Sequence, residues 1–252
     1  MPYQNRLKDI DRLNRELEQF RPIDKSLLKQ IKEYYRIGLT YSSNALEGNT
    51  LTETETKVVL EDGITIAGKP LRDHYEAAGH SEAFDAVYEL AKGKSITEKG
   101  LLNLHRLFYY RIDRENAGRY RVVPVIITGT EYVPPAASRV PGLMKSFVKR
   151  IPGYRKTLHP VHFAARLHKE LVNIHPFVDG NGRTARLLMN LGLFSQGHVI
   201  TMIPPVLRSD YLSLVKKAQL GKDDTDFVNF ISAMVYESTK DYLRLLRRLH
   251  EK

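Results

Sequence analysis

The chain has 252 residues, a formal net charge of +10 at neutral pH and no cysteine. This length can bury a sizeable core, while the lack of cysteine excludes a disulfide framework and zinc sites built on thiolates. The sequence contains no apolar run of about 18 residues, so we expect no membrane span. Its N-terminal segment, MPYQNRLKDIDRLNRELEQF, is charged throughout and lacks the apolar stretch of a signal peptide, which predicts a cytoplasmic protein.

Apolar residues recur with helical spacing over most of the chain, which predicts a mostly helical fold. Asp24 is placed to cap a helix that continues through Tyr35. Thr52 and Glu55 have the spacing of a capping box. The other helices are expected at about 3–20, 41–46, 53–61, 72–91, 97–109, 140–150, 160–174, 182–196, 208–219 and 225–248.

The helical pattern is interrupted between residues 121 and 135. The segment RVVPVII at 121–127 is rich in β-branched residues, and it is followed by the turn sequence TGT and by a short second limb. This predicts one β-hairpin in a helical protein, with Pro124 placing it at an edge. An irregular loop fits the local pattern equally well.

The segment 175–186, HPFVDGNGRTAR, has the clearest functional pattern. Proline disfavours helical dihedrals at the residue before it, so His175 is expected at the end of the preceding helix. The turn DGNG then leads into a new helix whose first amide groups have no intrahelical partner, an arrangement that favours anions. Arg183 and Arg186 lie on one face of that helix and could bind phosphate. We interpret the segment as a phosphate site with a base beside it.

Asp179 adds an acid to this phosphate site. A carboxylate among arginines would repel a phosphate ligand unless a cation bridged the two. The cation that typically combines one or two carboxylates with phosphate oxygens is Mg²⁺, so we expect Asp179 to bind it. The chain contains neither a Walker A motif nor the motifs of protein kinases.

The same segment matches the signature HPFx[DE]GNGRxxR, so the chain resembles the Fic (filamentation induced by cyclic AMP) family. The resemblance implies an all-α Fic fold, a helical-bundle core with one short β-hairpin flap before the catalytic helix pair. It also implies transfer of AMP from ATP to a Tyr, Ser or Thr hydroxyl of a target protein. His175 would be the catalytic base and Asp179 the Mg²⁺ ligand. The phosphates of ATP would be bound by Gly180, Asn181, Gly182, Arg183 and Arg186.

Family members carry the flap at the corresponding position, where it holds the target polypeptide. On this resemblance we place the flap at about 125–134. The candidate contacts to the target are Ile126, Ile127, Thr128 and Gly129.

A second segment, SNALEG at 43–48, has an ordinary interpretation as a helix end followed by glycine. It also resembles the family's inhibitory helix, [ST]xxxE[GN], which would span about 40–49 and include Ser43. The resemblance implies that Glu47 pairs with Arg186. Since Arg186 can bind either this carboxylate or the γ-phosphate, pairing would misalign ATP. In some relatives the same glutamate orients a water that removes AMP from the target.

The segment Arg208–Tyr211 resembles a family stretch that contacts adenosine, which makes Tyr211 a candidate for that pocket, although core packing fits it equally well. We divide the chain into an N-terminal helical region at 1–95, a Fic core at 96–235 and a basic helix end at 236–252. Expected partners are ATP and a protein target, with a homo-oligomer left open. The positive charge could suit nucleic acid, but no recognition motif accompanies it.

Two alternatives to AMP transfer stay open. One is hydrolytic removal of AMP from a target, using Glu47. The other is a nucleotide-binding regulatory module with little catalysis, which would not need the imidazole of His175.

Overall fold

The computed structural model describes residues 3–93, 95–221 and 223–250, and these residues form ten α-helices. Two short 3₁₀ turns precede α6 and α9. Within the described ranges no helix is long and apolar enough to cross a membrane. The helices are α1 (Leu7–Glu18), α2 (Lys25–Ala45), α3 (Glu53–Glu61), α4 (Leu71–Ala91), α5 (Glu98–Tyr109), α6 (Val140–Thr157), α7 (Pro160–Ile174), α8 (Asn181–Phe194), α9 (Arg208–Leu220) and α10 (Thr225–His250).

The predicted helix starts are present at α2 and α3. The Asp24 side chain accepts hydrogen bonds from the amides of the next helix, including that of Ser26 at 2.8 Å. At α3, the Glu55 amide donates to the Thr52 hydroxyl and the Thr52 amide donates to the Glu55 carboxylate. Each cap satisfies amide groups that have no partner inside the helix.

The prediction of a separate short helix at 41–46 is wrong, because α2 runs unbroken to Ala45. Gly38 lies inside this helix without interrupting it. A Cβ atom at Gly38 would approach the Met202 sulfur to 2.6 Å, so the glycine permits close packing. Helix α6 is also longer than expected and reaches Thr157.

The β-hairpin predicted at 125–134 is not present, since the described residues contain no β-strand. The segment forms two irregular limbs joined by a turn at Thr128–Gly129, and no backbone hydrogen bond joins the limbs within the described chain. Pro124, Pro134 and Pro135 each lack the amide proton that a β-ladder requires. The flap is therefore an irregular loop.

The centre of the core is the pair α7 and α8, with α4 and α5 packed against α8. A Cβ atom at Gly192 of α8 would lie 2.9 Å from the Leu167 side chain of α7, so these two helices approach closely. Leu171 of α7 and Leu187 of α8 are fully buried in the same cluster. Since α7 ends at Ile174 and α8 begins at Asn181, the turn between the two central helices carries the motif.

Helix α10 packs along α1 and extends past residue 236 into the basic end of the chain. Leu243 and Leu246 are buried there, in the cluster that includes Leu17 of α1. The apolar positions of this basic helix end are therefore part of the core.

Candidate active site

The turn between α7 and α8 is closed by its own side chains. His175 follows α7 in a left-handed conformation, with φ 49° and ψ 61°, and Gly180 before α8 has φ 77°. The Asn181 side chain accepts a hydrogen bond from the Phe177 amide and donates one to the Phe177 carbonyl, both at 2.9 Å. The Asn181 side chain is thus used inside the turn, which leaves its backbone amide for an anion.

The first amides of α8 form the anion-binding part of the turn. The first hydrogen bond of this helix joins the Thr184 amide to the Gly180 carbonyl at 3.0 Å. The amides of residues 181–183 precede that bond, and such amides have no acceptor within the helix. Together with the helix dipole they favour a negative charge at this end of α8.

The Arg186 guanidinium is 2% exposed and bonded through all three nitrogens. Its Nε donates to the Ser43 hydroxyl at 2.9 Å, and Nη2 donates to the Ser43 carbonyl at 2.8 Å. Nη2 also lies 2.7 Å from Glu47 Oε1, and Nη1 donates to the Tyr211 hydroxyl at 3.1 Å. The structure therefore brings Ser43, Glu47 and Arg186 together.

The Glu47 carboxylate lies over the start of α8. A Cβ atom at Gly182 would approach Glu47 Oε1 to 2.2 Å, so only glycine leaves room for this contact. Burial raises the pKa of Glu47, but the charges of Arg186 and Arg183 outweigh it and hold the pKa below its usual range. An ionised carboxylate thus occupies space beside the free amides.

Tyr211 does not lie on an open pocket wall. Its side chain is buried, and its hydroxyl is 2.8 Å from His168 Nε2 in addition to its bond with Arg186. Burial, aided by the positive charge of Arg186, lowers the pKa of His168 to about 3, so this imidazole is neutral. The contacts of Tyr211 anchor Arg186, and the adenosine contact inferred from the resemblance stays a prediction.

Arg183 and Asp179 are held by two residues of α4 that the sequence did not single out. Arg183 Nη1 lies 2.9 Å from Glu76 Oε1, and both side chains are buried. Arg72 Nη2 donates to Asp179 Oδ2 at 2.6 Å. A polar cavity of about 240 Å³ opens among these four side chains and Glu47.

Within the described ranges no group of three or more His, Asp, Glu or Cys side chains could hold a metal ion by itself. Asp179 is 41% exposed at the polar cavity. A single accessible carboxylate beside a phosphate site fits the way Mg²⁺ is usually bound, with most ligands coming from phosphate and water. The Asp179 carboxylate could therefore hold a magnesium ion whose other ligands come from phosphate and water.

Burial keeps the His175 imidazole in its neutral form. Burial lowers its pKa from the usual 6.5 to about 4, with a smaller contribution in the same direction from Arg121. The ring is thus neutral at physiological pH and has a free lone pair. It lies at the same turn as the free amides of α8.

His105 of α5 holds the motif turn in place and was missed in the sequence. Its Nδ1 accepts a hydrogen bond from the Gly118 amide at 2.9 Å, so its Nε2 carries the proton and donates to the Asp179 carbonyl at 3.1 Å. The ring stacks on Phe177 with a centroid distance of 3.7 Å. No local pattern around residue 105 indicates this role.

Arg121 joins the flap to the motif turn and was also missed. Its buried guanidinium donates to the His175 carbonyl at 2.8 Å, to the Val123 carbonyl at 3.2 Å and to the Pro135 carbonyl at 2.5 Å. It therefore fixes the bases of both flap limbs next to His175. The Tyr132 hydroxyl adds a further tie, donating to the Asn173 carbonyl of α7 at 2.7 Å.

The tip of the flap is open to solvent. Ile126 is 95% exposed, and Gly129 at the turn has φ 82°. The candidate target contacts at 126–129 all lie on this exposed or half-exposed tip. Val122 and Val133 on the two limbs are also largely exposed, so the flap presents several apolar side chains to solvent, as binding surfaces do.

The helical fold places a turn that favours anions and a neutral histidine between two central helices. Residues 95–193 match the model of the Fic/DOC family. The chain therefore contains a domain of this family, which confirms the resemblance found in the sequence.

The chain is 35% identical over 242 residues to the Protein adenylyltransferase Fic of Drosophila willistoni, covering 95% of this chain and 48% of the relative. The chain thus spans about half the length of the curated relatives it matches. Among solved structures, Fic-1 from C. elegans is 29% identical with a TM-score of 0.83, covering 96% of this chain and 72% of that one. A Fic domain containing signaling protein from Bacteroides thetaiotaomicron is 28% identical with a TM-score of 0.85, covering 94% and 96%.

Proposed function

We propose that this protein is an adenylyltransferase that moves AMP from ATP to a Tyr, Ser or Thr hydroxyl of a target protein and of itself. The observation that carries the proposal is the neutral His175 at the turn that presents the free amides of α8. Drosophila relatives at 35% identity bear the name protein adenylyltransferase. A base beside a phosphate site is what transfer to a hydroxyl requires.

In the proposed reaction, His175 takes the proton of the target hydroxyl. The hydroxyl oxygen forms a bond to the α-phosphorus of ATP, the bond from that phosphorus to the bridging oxygen breaks, and pyrophosphate leaves. The amides of residues 181–183 and the guanidinium of Arg183 stabilise the charge on the phosphates. Asp179 would hold Mg²⁺, which supplies positive charge to the phosphate oxygens when it is bound.

The proposal includes inhibition by the contact between Glu47 and Arg186. Ser43, Glu47 and Tyr211 take four of the N–H groups of Arg186, and both N–H groups of Nη2 are among them. A phosphate therefore cannot form a two-pronged contact with this guanidinium while these bonds are in place. The Glu47 carboxylate also places a negative charge beside the amides of α8, which repels an anionic ligand. Movement of Glu47 away from Gly182 would free one N–H group of Arg186 Nη2 and would remove the negative charge beside the amides.

Target recognition is assigned to the flap tip at 126–129. The tip is exposed, while Arg121 and Tyr132 fix the flap to the His175 turn and to α7. A target segment bound along the flap limbs would place a hydroxyl side chain near His175. Main-chain pairing of this kind gives affinity without demanding a particular sequence.

A second candidate function is the hydrolytic removal of AMP from a modified target. It is favoured by the ionised Glu47 carboxylate beside the phosphate site, where it could take a proton from a water molecule. A purely nucleotide-binding role is less well supported, because binding alone does not need a neutral imidazole at the turn.

The proposed transfer is tested by incubating the Glu47→Gly protein with Mg-ATP and searching for AMP on the protein by mass spectrometry. We expect an added AMP on this variant and none on the double variant Glu47→Gly/His175→Ala. Glu61→Gly, which removes an exposed acid at the end of α3, is the matched control and should behave as wild type. Equal modification with and without His175 would contradict the proposal.

A further inference from the structure

A cavity with a volume of about 540 Å³ lies outside the candidate active site and shares no residue with that site. It lies between the end of α1, the first half of α2, the end of α4, the end of α8 with the segment that follows it, and helix α10. Its walls are mostly apolar, and several are aromatic. The apolar and aromatic wall residues include Leu17, Ile31, Tyr88, Phe194, Ile200 and Tyr242.

The aromatic walls are held in place by neighbouring rings. The rings of Tyr88 and Phe194 pack with a centroid distance of 4.4 Å, and those of Tyr35 and Tyr242 with a distance of 5.8 Å. The Tyr35 hydroxyl donates to the Ser238 carbonyl of α10 at 3.2 Å. Since the walls are fixed, the cavity does not close by a simple rotation of one side chain, and its apolar surface stays available to a ligand.

The rim of the cavity is basic. Arg21, Lys29 and Lys32 line it, and none of its lining residues is an aspartate or a glutamate. Lys32 pairs with Asp85 outside the cavity at 2.5 Å, and its ammonium lies 5.1 Å from the centroid of the Tyr88 ring. Within the described ranges Lys29 has no acidic partner. Arg21 pairs with Glu18 at 3.5 Å, so Lys29 carries the positive charge at the rim that no acid in the described chain offsets.

We propose that this cavity binds a small amphipathic carboxylate, an acid whose apolar body fills the space between α2 and α10 and whose carboxylate meets Lys29 and Lys32. Burial of the apolar body against Ile31 and Tyr242 supplies the affinity, because apolar area leaves water. The ammonium groups at the rim select an anion over a neutral or cationic molecule of the same shape. Pockets of similar size, apolar with a few polar groups, are typical of small-ligand sites.

The charge requirement is tested by calorimetry on the full chain with dodecanoate, kept below its micelle-forming concentration. We expect one dodecanoate per chain, with no binding of dodecyltrimethylammonium and weaker binding of dodecanol. The variant Lys29→Glu/Lys32→Glu should weaken dodecanoate binding at least tenfold. The matched control is Lys145→Glu/Lys149→Glu, which makes the same charge change on exposed positions of α6 and should bind as wild type.

The location is tested by alkylation, which is site-specific because the chain has no cysteine. Leu28 at the cavity is 42% exposed, and Leu212 on α9 is 39% exposed. Dodecanoate should protect the thiol of Leu28→Cys and leave that of Leu212→Cys reactive. The proposal is overturned by absent binding, by equal affinity for dodecanol, by an equal loss in both charge-reversal variants, or by equal protection at the two thiols.

Discussion

Arg121 and His175 are joined by a hydrogen bond of 2.8 Å from the Arg121 Nε to the His175 carbonyl. The same guanidinium holds the carbonyls of Val123 and Pro135, one on each flap limb. The position of the flap and that of the proposed base are therefore set by one buried side chain. A target on the flap would be aligned with the imidazole because both depend on Arg121.

Replacing Arg121 with lysine should separate target alignment from ATP binding. A lysine keeps the charge but cannot bond three carbonyls in one plane. Since a shift of about 1 Å in a reacting group can cost about 10²-fold, we expect a fall of that order in AMP transfer, measured on the Glu47→Gly background. The affinity for ATP, measured by calorimetry, should stay unchanged.

The matched control for Arg121→Lys is Arg119→Lys, an exposed position two residues earlier in the same approach to the flap. On the Glu47→Gly background, Arg119→Lys should transfer AMP at the same rate as the Glu47→Gly protein itself. If Arg121→Lys also transferred at that rate, the alignment role would be wrong. If it lost ATP affinity as strongly as transfer, its effect would be a general loss of structure.

Glu47→Gly should raise AMP transfer above wild type. The variant removes a charge-assisted contact to Arg186 and the carboxylate beside Gly182. A coupling of about 1–3 kcal/mol between the inhibited and competent arrangements corresponds to an increase of about 5–150-fold. The rate is measured as label incorporated from ATP carrying a labelled α-phosphate.

The double variant Glu47→Gly/Arg186→Ala should return to low activity, since the arginine released by the first change is then missing. The same Glu47→Gly protein should be unable to remove AMP from a modified target if Glu47 acts as a hydrolytic base. A single variant no faster than wild type, in an assay where His175→Ala is inactive, would contradict the inhibitory role.

His175→Ala should lower transfer by about 10²–10⁴-fold and leave ATP affinity largely intact, because the imidazole acts only on the incoming hydroxyl. The pKa of about 4 adds a second expectation for the Glu47→Gly protein. Its transfer rate should stay level between pH 8 and about pH 5.5, because the base is already deprotonated there. A base with an ordinary histidine pKa would instead lose half its activity near pH 6.5.

Asp179→Ala should lower AMP transfer to the background level at every Mg²⁺ concentration, because the ion loses its protein ligand. Asp179 is the accessible carboxylate beside the proposed phosphate site, and Mg²⁺ binds there through oxygen ligands. The measurement is a Mg²⁺ titration of the transfer rate in the Glu47→Gly background. Retention of activity with the same magnesium requirement would remove Asp179 from the proposed metal site.

The motif at 175–186 could be predicted because its residues are contiguous and each has a local consequence for the turn. The side chains that hold it could not, because they are distant in sequence: Arg72 lies 107 residues before Asp179, and His105 lies 74 before it. The sequence around neither residue has a pattern that indicates a contact with the motif. Their roles arise only when α4 and α5 pack against α8.

For the flap, the sequence predicted a β-hairpin that the structure does not contain. The β-branched residues at 121–127 favour a strand by composition, yet strand formation depends on a partner and on free amide donors. Three prolines remove donors, and the Arg121 side chain takes the carbonyls of Val123 and Pro135. A tertiary contact thus replaces the ladder that the local pattern predicted.

The buried histidines predict that the protein loses stability in mild acid. Burial lowers the pKa of His80 and His168 to about 3 and that of His105 and His198 to about 4. Between about pH 6.5 and pH 4 the unfolded chain binds protons at these residues and the folded chain does not. Because the unfolded state then holds more protons, the free energy of unfolding must fall as the pH falls.

The expected slope approaches about 1.4 kcal/mol per pH unit for each such histidine. It is measured by urea unfolding at pH 7, 6 and 5, following the circular dichroism of the helices. His80→Gln, which replaces one buried imidazole by a group that does not titrate, should reduce the slope by one proton, even if the variant is less stable at every pH. A free energy of unfolding that stays constant from pH 7 to pH 5 would show that these imidazoles are not buried in the neutral form.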